Sequence, residues 1–191
     1  MKLLCVEHAP AGAWGFTVLG DNALLRDNDD FYVPPRVERL SCVPQLVFRI
    51  GKLGKAIAPR FAPRYLAGMG VGIRFYADDL LDASRAAGLP PDEATAFDHA
   101  AAISPARPLE GELPADALYA FEVNGREAFR GSLAALPVPL DRLVARLSAS
   151  CLFKVGDLLY CGNTFRYPGL RPGDHLRLSL DGAPLLDFSV R

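Results

Sequence analysis

Long apolar runs are missing from this 191-residue chain. No stretch approaches the roughly 18–20 consecutive apolar residues that cross a bilayer, so the sequence predicts no membrane span. Residues 1–6 begin like a leader, but Glu7 and His8 end the apolar run well short of the 7–15 or so residues of a secretory core. A cytoplasmic location is therefore expected. An excess of either charge is also missing: Lys and Arg total 21, Asp and Glu 22, and the formal net charge is −1. The basic residues are spread along the chain, which excludes the electrostatic footprint of a nucleic-acid binder. The four cysteines, Cys5, Cys42, Cys151 and Cys161, show no C-x-x-C spacing. They are expected to be buried thiols rather than a disulfide pair or a metal site.

The familiar catalytic signatures are absent too. There is no phosphate-binding G-x-x-x-x-G-K-[ST], no G-x-S-x-G nucleophile turn and no G-x-G-x-x-G opening a helix. Gly68-x-Gly70-x-Gly72 lies in an apolar stretch, where a packed or twisted strand is the expected structure. The three histidines, His8, His99 and His175, are too far apart for metal-ligand spacing. His175 reads as a surface residue in a turn, and His8 as a structural residue closing the first strand. His99, following Phe97-Asp98, admits a structural reading and a catalytic one, so Asp98 and His99 are the candidate catalytic pair.

What is present is mainly short strands separated by turns. Strands are expected near residues 3–6, 14–19, 23–26 and 46–50, the last a nearly continuous apolar run ended by Gly51. Residues 119–123 and 126–129 flank Asn124-Gly125, a strong hairpin signal because a type I′ turn needs positive φ at both central positions. Closing strands are expected over 157–161, 175–180 and 184–190. Two helices stand out. Residues 78–87 carry Leu80, Leu81, Ala83 and Ala86 and stop at Gly88, with Pro90 and Pro91 beyond. Residues 141–148 carry Leu143, Val144 and Leu147, and a shorter helical turn is expected at 59–65. The pattern is a β-rich α+β fold with a few short helices, expected as a single domain over 1–191.

Several segments together resemble the fumarylacetoacetate hydrolase family, in its short single-domain bacterial form. Leu46-Val47-Phe48-Arg49-Ile50-Gly51-Lys52-Leu53-Gly54-Lys55 is similar to the family's "ELvVrIGKlGK" segment. Ala67-Gly68-Met69-Gly70-Val71-Gly72-Ile73, followed by Ala77-Asp78-Asp79-Leu80, is similar to "aGytvgiDfTARDL". Phe97-Asp98 resembles the end of "KgFD", and Val155-Gly156-Asp157-Leu158-Leu159-Tyr160-Cys161-Gly162 resembles "kpGDlIyTG". The matches keep the family's order. They imply rolled mixed β-sheets and a dimer, either of this chain or with a paralogue.

The resemblance also implies a divalent cation, commonly Mg²⁺ or Mn²⁺, held by a Glu-x-Glu pair and an Asp. Hard cations need several converging anionic oxygens at about 2.0–2.5 Å. In this chain the corresponding positions hold Val43, Gln45 and Arg74. The family's substrate lysine aligns with Thr95, the Thr-Pro after "TG" aligns with Asn163-Thr164, and the N-terminal lid is shortened. No metal cofactor is therefore expected. The leading expectation is a non-catalytic relative that binds a small carboxylate or keto acid through Arg74, Gln45, Asn163 and Thr95, or that serves as a dimer subunit. Arg74 could instead pair with Asp78, Asp79 or Asp98 and fill the old cavity. The alternatives are a metal-independent tautomerase, isomerase or decarboxylase using His99, Asp98 or Arg74, and a metal-dependent C–C hydrolase with ligands elsewhere. The last is disfavoured because Glu38 is too far ahead of Val43 to supply a Glu-x-Glu pair.

Overall fold

The computed structural model describes all residues except 10, 11, 111, 112 and 115. The chain opens with β1 (Lys2–His8) and β2 (Trp14–Gly20), then a 3-10 turn at Asp21–Ala23 and the short β3 (Leu24–Leu25). The long central strands β4 (Leu40–Ile50) and β5 (Leu66–Ala77) follow, joined through a 3-10 segment at Pro59–Tyr65. Next come α1 (Asp78–Ala87), α2 (Asp92–Thr95), β6 (Ala101–Ile103) and β7 (Arg107–Pro108). The hairpin of β8 (Leu118–Val123) and β9 (Arg126–Ser132) precedes α3 (Leu140–Ser150). The closing strands are β10 (Leu158–Tyr160), β11 (Tyr167–Leu170), β12 (His175–Leu180) and β13 (Ala183–Ser189).

Among the described residues the strands build a nine-stranded mixed sheet in the order β2-β1-β10-β4-β5-β6-β3, with β11 added to β4 and β7 to β5. A four-stranded sheet runs β13-β12-β8-β9. The expected β-rich α+β fold of rolled mixed sheets is the fold the chain adopts. The turn chemistry also follows the sequence: Asn124 and Gly125 have φ of +53° and +74°, and Gly88 ends α1 at φ +65°. No helix among the described residues is long and apolar enough to cross a membrane.

Side-chain alternation divides the large sheet into two unlike faces. Cys42, Leu46, Phe48, Val71, Ile73 and Phe75 point into the main core, which also takes residues from the second sheet and α3. Phe31 stacks on Phe75 with ring centroids 3.9 Å apart, and Phe188 meets Phe75 edge-on. The opposite face carries Ser41, Val43, Gln45 and Val47 of β4. Cross-strand pairing sets these against Tyr76, Arg74, Gly72 and Gly70 of β5, respectively.

The glycine run is thus a space-making face. A Cβ on Gly72 would lie 2.6 Å from Tyr160 Cε1, 2.7 Å from the Ala102 oxygen and 2.8 Å from Val47 Cγ2. Lacking it, β5 lets the Tyr160 ring cross over and donate its hydroxyl proton to the Ala102 carbonyl at 3.1 Å. This is the packed strand expected from the sequence.

β4 begins earlier than expected, at Leu40 rather than residue 46. Pro44 lies inside this longer strand, although proline is rare inside a sheet. β10 pairs with Val47, Phe48 and Arg49, whereas β11 pairs with Leu40, Ser41 and Cys42. Pro44 falls in the gap between those partners, where a missing N–H costs no ladder bond on that side.

Candidate functional site

The gap beside Pro44 is filled by the loop after β10. Gly162 N–H donates to Gln45 Oε1 at 2.8 Å, and Asn163 Nδ2 donates to the Pro44 carbonyl at 3.1 Å and the Tyr119 hydroxyl at 3.2 Å. Asn163 Oδ1 accepts from Phe165 N–H. Gly162 stands at φ +75°, and a Cβ there would meet the Val6 oxygen and the His8 ring within 2.8 Å. The loop is therefore clamped between β1 and β4, and two of the expected ligand contacts, Gln45 and Asn163, are engaged in holding it.

On β1, Cys5 pairs with Tyr160 of β10, which in turn pairs with Val47 of β4. Directly paired residues share a face, so Cys5, and Glu7 two residues on, lie on the same side as Val43 and Arg74. Arg74 is fully buried. Its Nη2 donates to the Thr95 carbonyl at 3.0 Å and lies 3.8 Å from Glu7 Oε1. The ionic neighbour of Arg74 is thus Glu7, from the N-terminal strand. Asp78 instead accepts from Ser41 and Arg166, Asp79 from the backbone of Glu38 and Arg39, and Asp98 from Asn22.

Tyr76 completes the cluster. Its hydroxyl lies 2.9 and 2.8 Å from the two Glu7 carboxylate oxygens, to which it donates. Two guanidinium groups pack near its ring, Arg166 at 4.0 Å and Arg74 at 5.3 Å from the centroid. That is cation–π distance. Above these groups opens a cavity of about 510 Å³. Glu7, His8, Thr17, Tyr76, Thr95 and Arg166 give it a polar lining, and Trp14, Leu81 and Leu89 add apolar wall. Thr95 itself is nearly buried, with its hydroxyl donating to the Pro91 carbonyl.

The electrostatics follow from burial. Desolvation pushes the Glu7 carboxyl above the usual carboxylate range, and Arg74, the Tyr76 hydroxyl and Arg166 partly oppose it. Burial lowers the His8 imidazole, so a neutral ring faces the cavity. The Cys5 thiol is pushed up to about 11 by burial, although Arg74 pulls it down. Arg74 stays charged, because a guanidinium does not lose its proton in proteins.

Among the described residues, the buried side-chain nitrogens and oxygens left without a partner are His8 Nε2, Thr17 Oγ1, Arg74 Nε and Arg74 Nη1. His8 and Thr17 line the cavity, and Arg74 lies directly against two residues that do, Glu7 and Tyr76. Buried polar groups in folded proteins are nearly always bonded, to protein, water or ligand.

Asp98 and His99 lie elsewhere. Both are exposed, and neither lines this cavity. His99 takes φ +64°, with its N–H donating to the Asn22 carbonyl at 3.3 Å. His175, half-exposed, pairs with Asp187 at the surface. Sequence reasoning missed Glu7, Tyr76 and Arg166 as site residues. A signal for Glu7 was available: an arginine in an apolar strand requires a carboxylate, and Glu7 directly follows the continuous apolar run of β1.

The donor set does not fit a divalent cation. Val43 offers no donor, Gln45 Oε1 is taken by the Gly162 N–H, and Arg74 is itself a cation. Two positive charges a few ångströms apart in a partly buried site repel by several kcal/mol. Among the described residues no group of three or more His, Cys, Asp or Glu side chains gathers to hold a metal ion.

The architecture is a large mixed sheet with a pocket on the face turned away from the main core, accompanied by a smaller antiparallel sheet. The model for the fumarylacetoacetate (FAA) hydrolase C-terminal family matches residues 6–191, and the chain belongs to that family. It is 27% identical over 144 residues to oxaloacetate tautomerase YcgM of Escherichia coli K12, a match covering 74% of this chain and 65% of that protein. Fumarylpyruvate hydrolase of a Ralstonia species is 25% identical over 157 residues, 82% of each chain. Among solved structures, fumarylpyruvate hydrolase from Pseudomonas aeruginosa, in complex with Mn²⁺ and pyruvate, superposes with a TM-score of 0.90. That alignment covers 100% of this chain and 89% of the other at 23% identity, a likeness of fold.

Proposed function

We propose that this chain binds a small carboxylate of the 2-oxo-acid kind in the cavity above Arg74, without a divalent metal. The observation that carries this reading is the buried Arg74 guanidinium, with Nε and Nη1 unpaired, lying against Glu7 and Tyr76 of the cavity wall. The cavity is also rich in positive charge: Arg74 beneath it, with Arg166 and Arg85 on its wall. A carboxylate suits a guanidinium by charge and by forked hydrogen-bond geometry. The relatives named for oxaloacetate and fumarylpyruvate support a 2-oxo acid as the ligand class.

In this reading Arg74 supplies part of the positive charge that a metal ion provides elsewhere. Thr95 positions Arg74 through its carbonyl, while Gln45 and Asn163 hold the neighbouring loop. The test is calorimetric titration of pyruvate and oxaloacetate in excess EDTA, with wild type and Arg166→Ala. Binding in EDTA that weakens about tenfold or more in the variant supports the reading, since a hydrogen bond to a charged group contributes about 1.5–3 kcal/mol. Binding that needs added Mn²⁺ or Mg²⁺ overturns it.

A further inference from the structure

The chain has four lysines, Lys2, Lys52, Lys55 and Lys154, dispersed in the sequence. The fold gathers them at one end. An antiparallel bridge joins Gly54, in the connection between β4 and β5, to Phe153, in the loop between α3 and β10. These two residues exchange both backbone hydrogen bonds, at 3.2 and 2.8 Å, and Gly156 N–H donates to the Ile50 carbonyl at 2.8 Å. Lys2 is drawn to the same place: its ammonium donates to the Leu152 carbonyl and pairs with Asp157.

The bridge sets Leu53 opposite Lys154 and Lys55 opposite Leu152. Phe153 is fully buried, so by alternation its neighbours Leu152 and Lys154 turn outward, and Leu53 and Lys55 are exposed likewise. Apolar and cationic side chains therefore alternate across the pair. Leu53, Leu152 and Val155 are 61, 43 and 70% exposed. One exposed leucine needs no explanation. Three exposed aliphatic side chains on two loops that are hydrogen-bonded together form a patch.

The charge around this patch has one sign. No acidic residue lies between Glu38 and Asp78 in the sequence, whereas the connection 51–65 carries Lys52, Lys55, Arg60 and Arg64. Among the described residues neither these four nor Lys154 pairs with a carboxylate. The Lys55 ammonium donates to the Ser150 carbonyl at 2.9 Å, and the Arg60 and Arg64 guanidinium groups lie 4.7 and 5.1 Å from the centre of the Phe61 ring. Their charge is left for a partner.

We propose that this end of the molecule docks on a membrane surface bearing anionic phospholipids, lying on it without spanning it. The proposal is independent of the cavity over Arg74. Lysines near such a surface gain from its negative potential, and the aliphatic side chains gain by burial at the boundary between headgroups and acyl chains. The lysine stems lie along that boundary while their ammonium groups stay in water. The bridge between the loops holds the patch in place beforehand, which lowers the ordering cost of binding. An acidic polypeptide would satisfy the charge, but apolar anchors at protein interfaces fill pockets. Leu53 and Val155 instead stand out from loops, the form that enters a bilayer surface.

Co-sedimentation of the intact protein with vesicles tests the proposal. Wild type should partition onto vesicles of phosphatidylcholine mixed equally with phosphatidylserine, less so as salt rises, and should leave phosphatidylcholine vesicles largely bare. Lys52→Gln with Lys154→Gln should weaken partitioning about fivefold for each lysine removed. Leu53→Ser with Val155→Ser should weaken it about tenfold or more. Both double variants should keep the wild-type Tm, since the replaced side chains are exposed. Wild type that stays in solution with the mixed vesicles overturns the proposal, as does equal partitioning onto phosphatidylcholine alone. So does a serine variant that partitions as wild type does. Wild type that binds polyglutamate but not the mixed vesicles assigns the surface to an acidic polypeptide and overturns the membrane reading.

Discussion

Arg74 and Glu7 come within 3.8 Å of each other from strands that are not neighbours in the sheet, with β10 and β4 lying between β1 and β5. The pair is asymmetric. Arg74 has no solvent exposure and donates one hydrogen bond, to Thr95, whereas Glu7 is partly exposed and accepts from Tyr76. Deleting either partner therefore has different consequences. Glu7→Ala leaves a buried guanidinium without its anion. Breaking a fully buried pair costs about 3–5 kcal/mol, and the partial exposure of Glu7 reduces this to about 1–3 kcal/mol. Arg74→Met replaces the charge with an apolar chain of similar length and should cost less than Glu7→Ala. Urea unfolding of both variants and the double mutant measures the difference.

The raised Glu7 carboxyl makes a signed prediction for stability against pH. A carboxyl whose folded value lies above its unfolded value of about 4.3 holds its proton more tightly in the native state. Its effect therefore favours folding at low pH and fades as pH rises through the folded value. Relative to Glu7→Gln, wild type should lose stability from about pH 4.3 upward until Glu7 is ionised in the folded protein, then run parallel. Tm measured across pH 3–9 for both proteins reads the window directly.

Asp157 predicts the opposite sign. It sits in the Gly156-Asp157 turn before β10, with its side chain buried, and accepts from Lys154 N–H at 2.8 Å, Lys2 N–H at 3.0 Å and the Lys2 ammonium. Burial alone would raise its pKa, but the bonds from Lys2 and Lys154 hold the carboxyl below the usual range. The resulting stability is present above the unfolded value of about 3.9 and is lost as pH falls through the folded value. Asp157→Ala strands donors that tie β1 to this turn, and it should cost about 2–4 kcal/mol in urea unfolding at pH 7. Its acid-side loss of stability should be shallower than that of wild type.

Gly72→Ala tests the close approach of β5 to Tyr160. The added methyl would sit 2.7 Å from the Ala102 carbonyl oxygen, a backbone atom held in the sheet, as well as against the Tyr160 ring and Val47. Overpacking of this kind costs about 1–3 kcal/mol. The shift in Tm and in the tyrosine near-ultraviolet signal checks it, and a neutral substitution would contradict the packing described.

Much of this was legible in the sequence, for local reasons. Gly88 after an apolar-striped segment ended α1 where expected, and Asn124-Gly125 made the hairpin turn. The buried cation at Arg74 was also visible, because a charge inside an apolar strand stands out. Its partner was not, because pairing across four strands depends on register, which no local pattern fixes. The expected partners Asp78, Asp79 and Asp98 follow Arg74 in the sequence, whereas β1 brings Glu7 in from the N-terminal strand. Asp98 and His99 were singled out because they stand beside a family motif, yet the left-handed turn at His99 faces them to solvent. The first half of β4 was not anticipated, because residues 40–45 lack the continuous apolar run, and the gap that accommodates Pro44 is made by two later strands.

The last prediction concerns metal. Val43 pairs directly with Arg74, and Gln45 follows Val43 on the same face, so the three side chains leave neighbouring points of one surface. Glutamates at 43 and 45 and an aspartate at 74 would bring three carboxylates together, the donor set a hard cation requires. The present set instead joins an apolar side chain, an amide engaged by Gly162 and a cation. Titration of wild type with Mn²⁺, followed by the electron paramagnetic resonance signal of the free ion, should show no binding in this cavity. The triple variant Val43→Glu, Gln45→Glu, Arg74→Asp should remove free Mn²⁺ one-to-one. Its stability should fall without metal, because mutual repulsion of the carboxylates replaces the attraction between Arg74 and Glu7, and recover when Mn²⁺ is added through preferential binding to the folded state. Stoichiometric Mn²⁺ uptake by wild type that Arg74→Ala strengthens and Glu7→Gln abolishes would place a metal beside Glu7 and refute the charge argument.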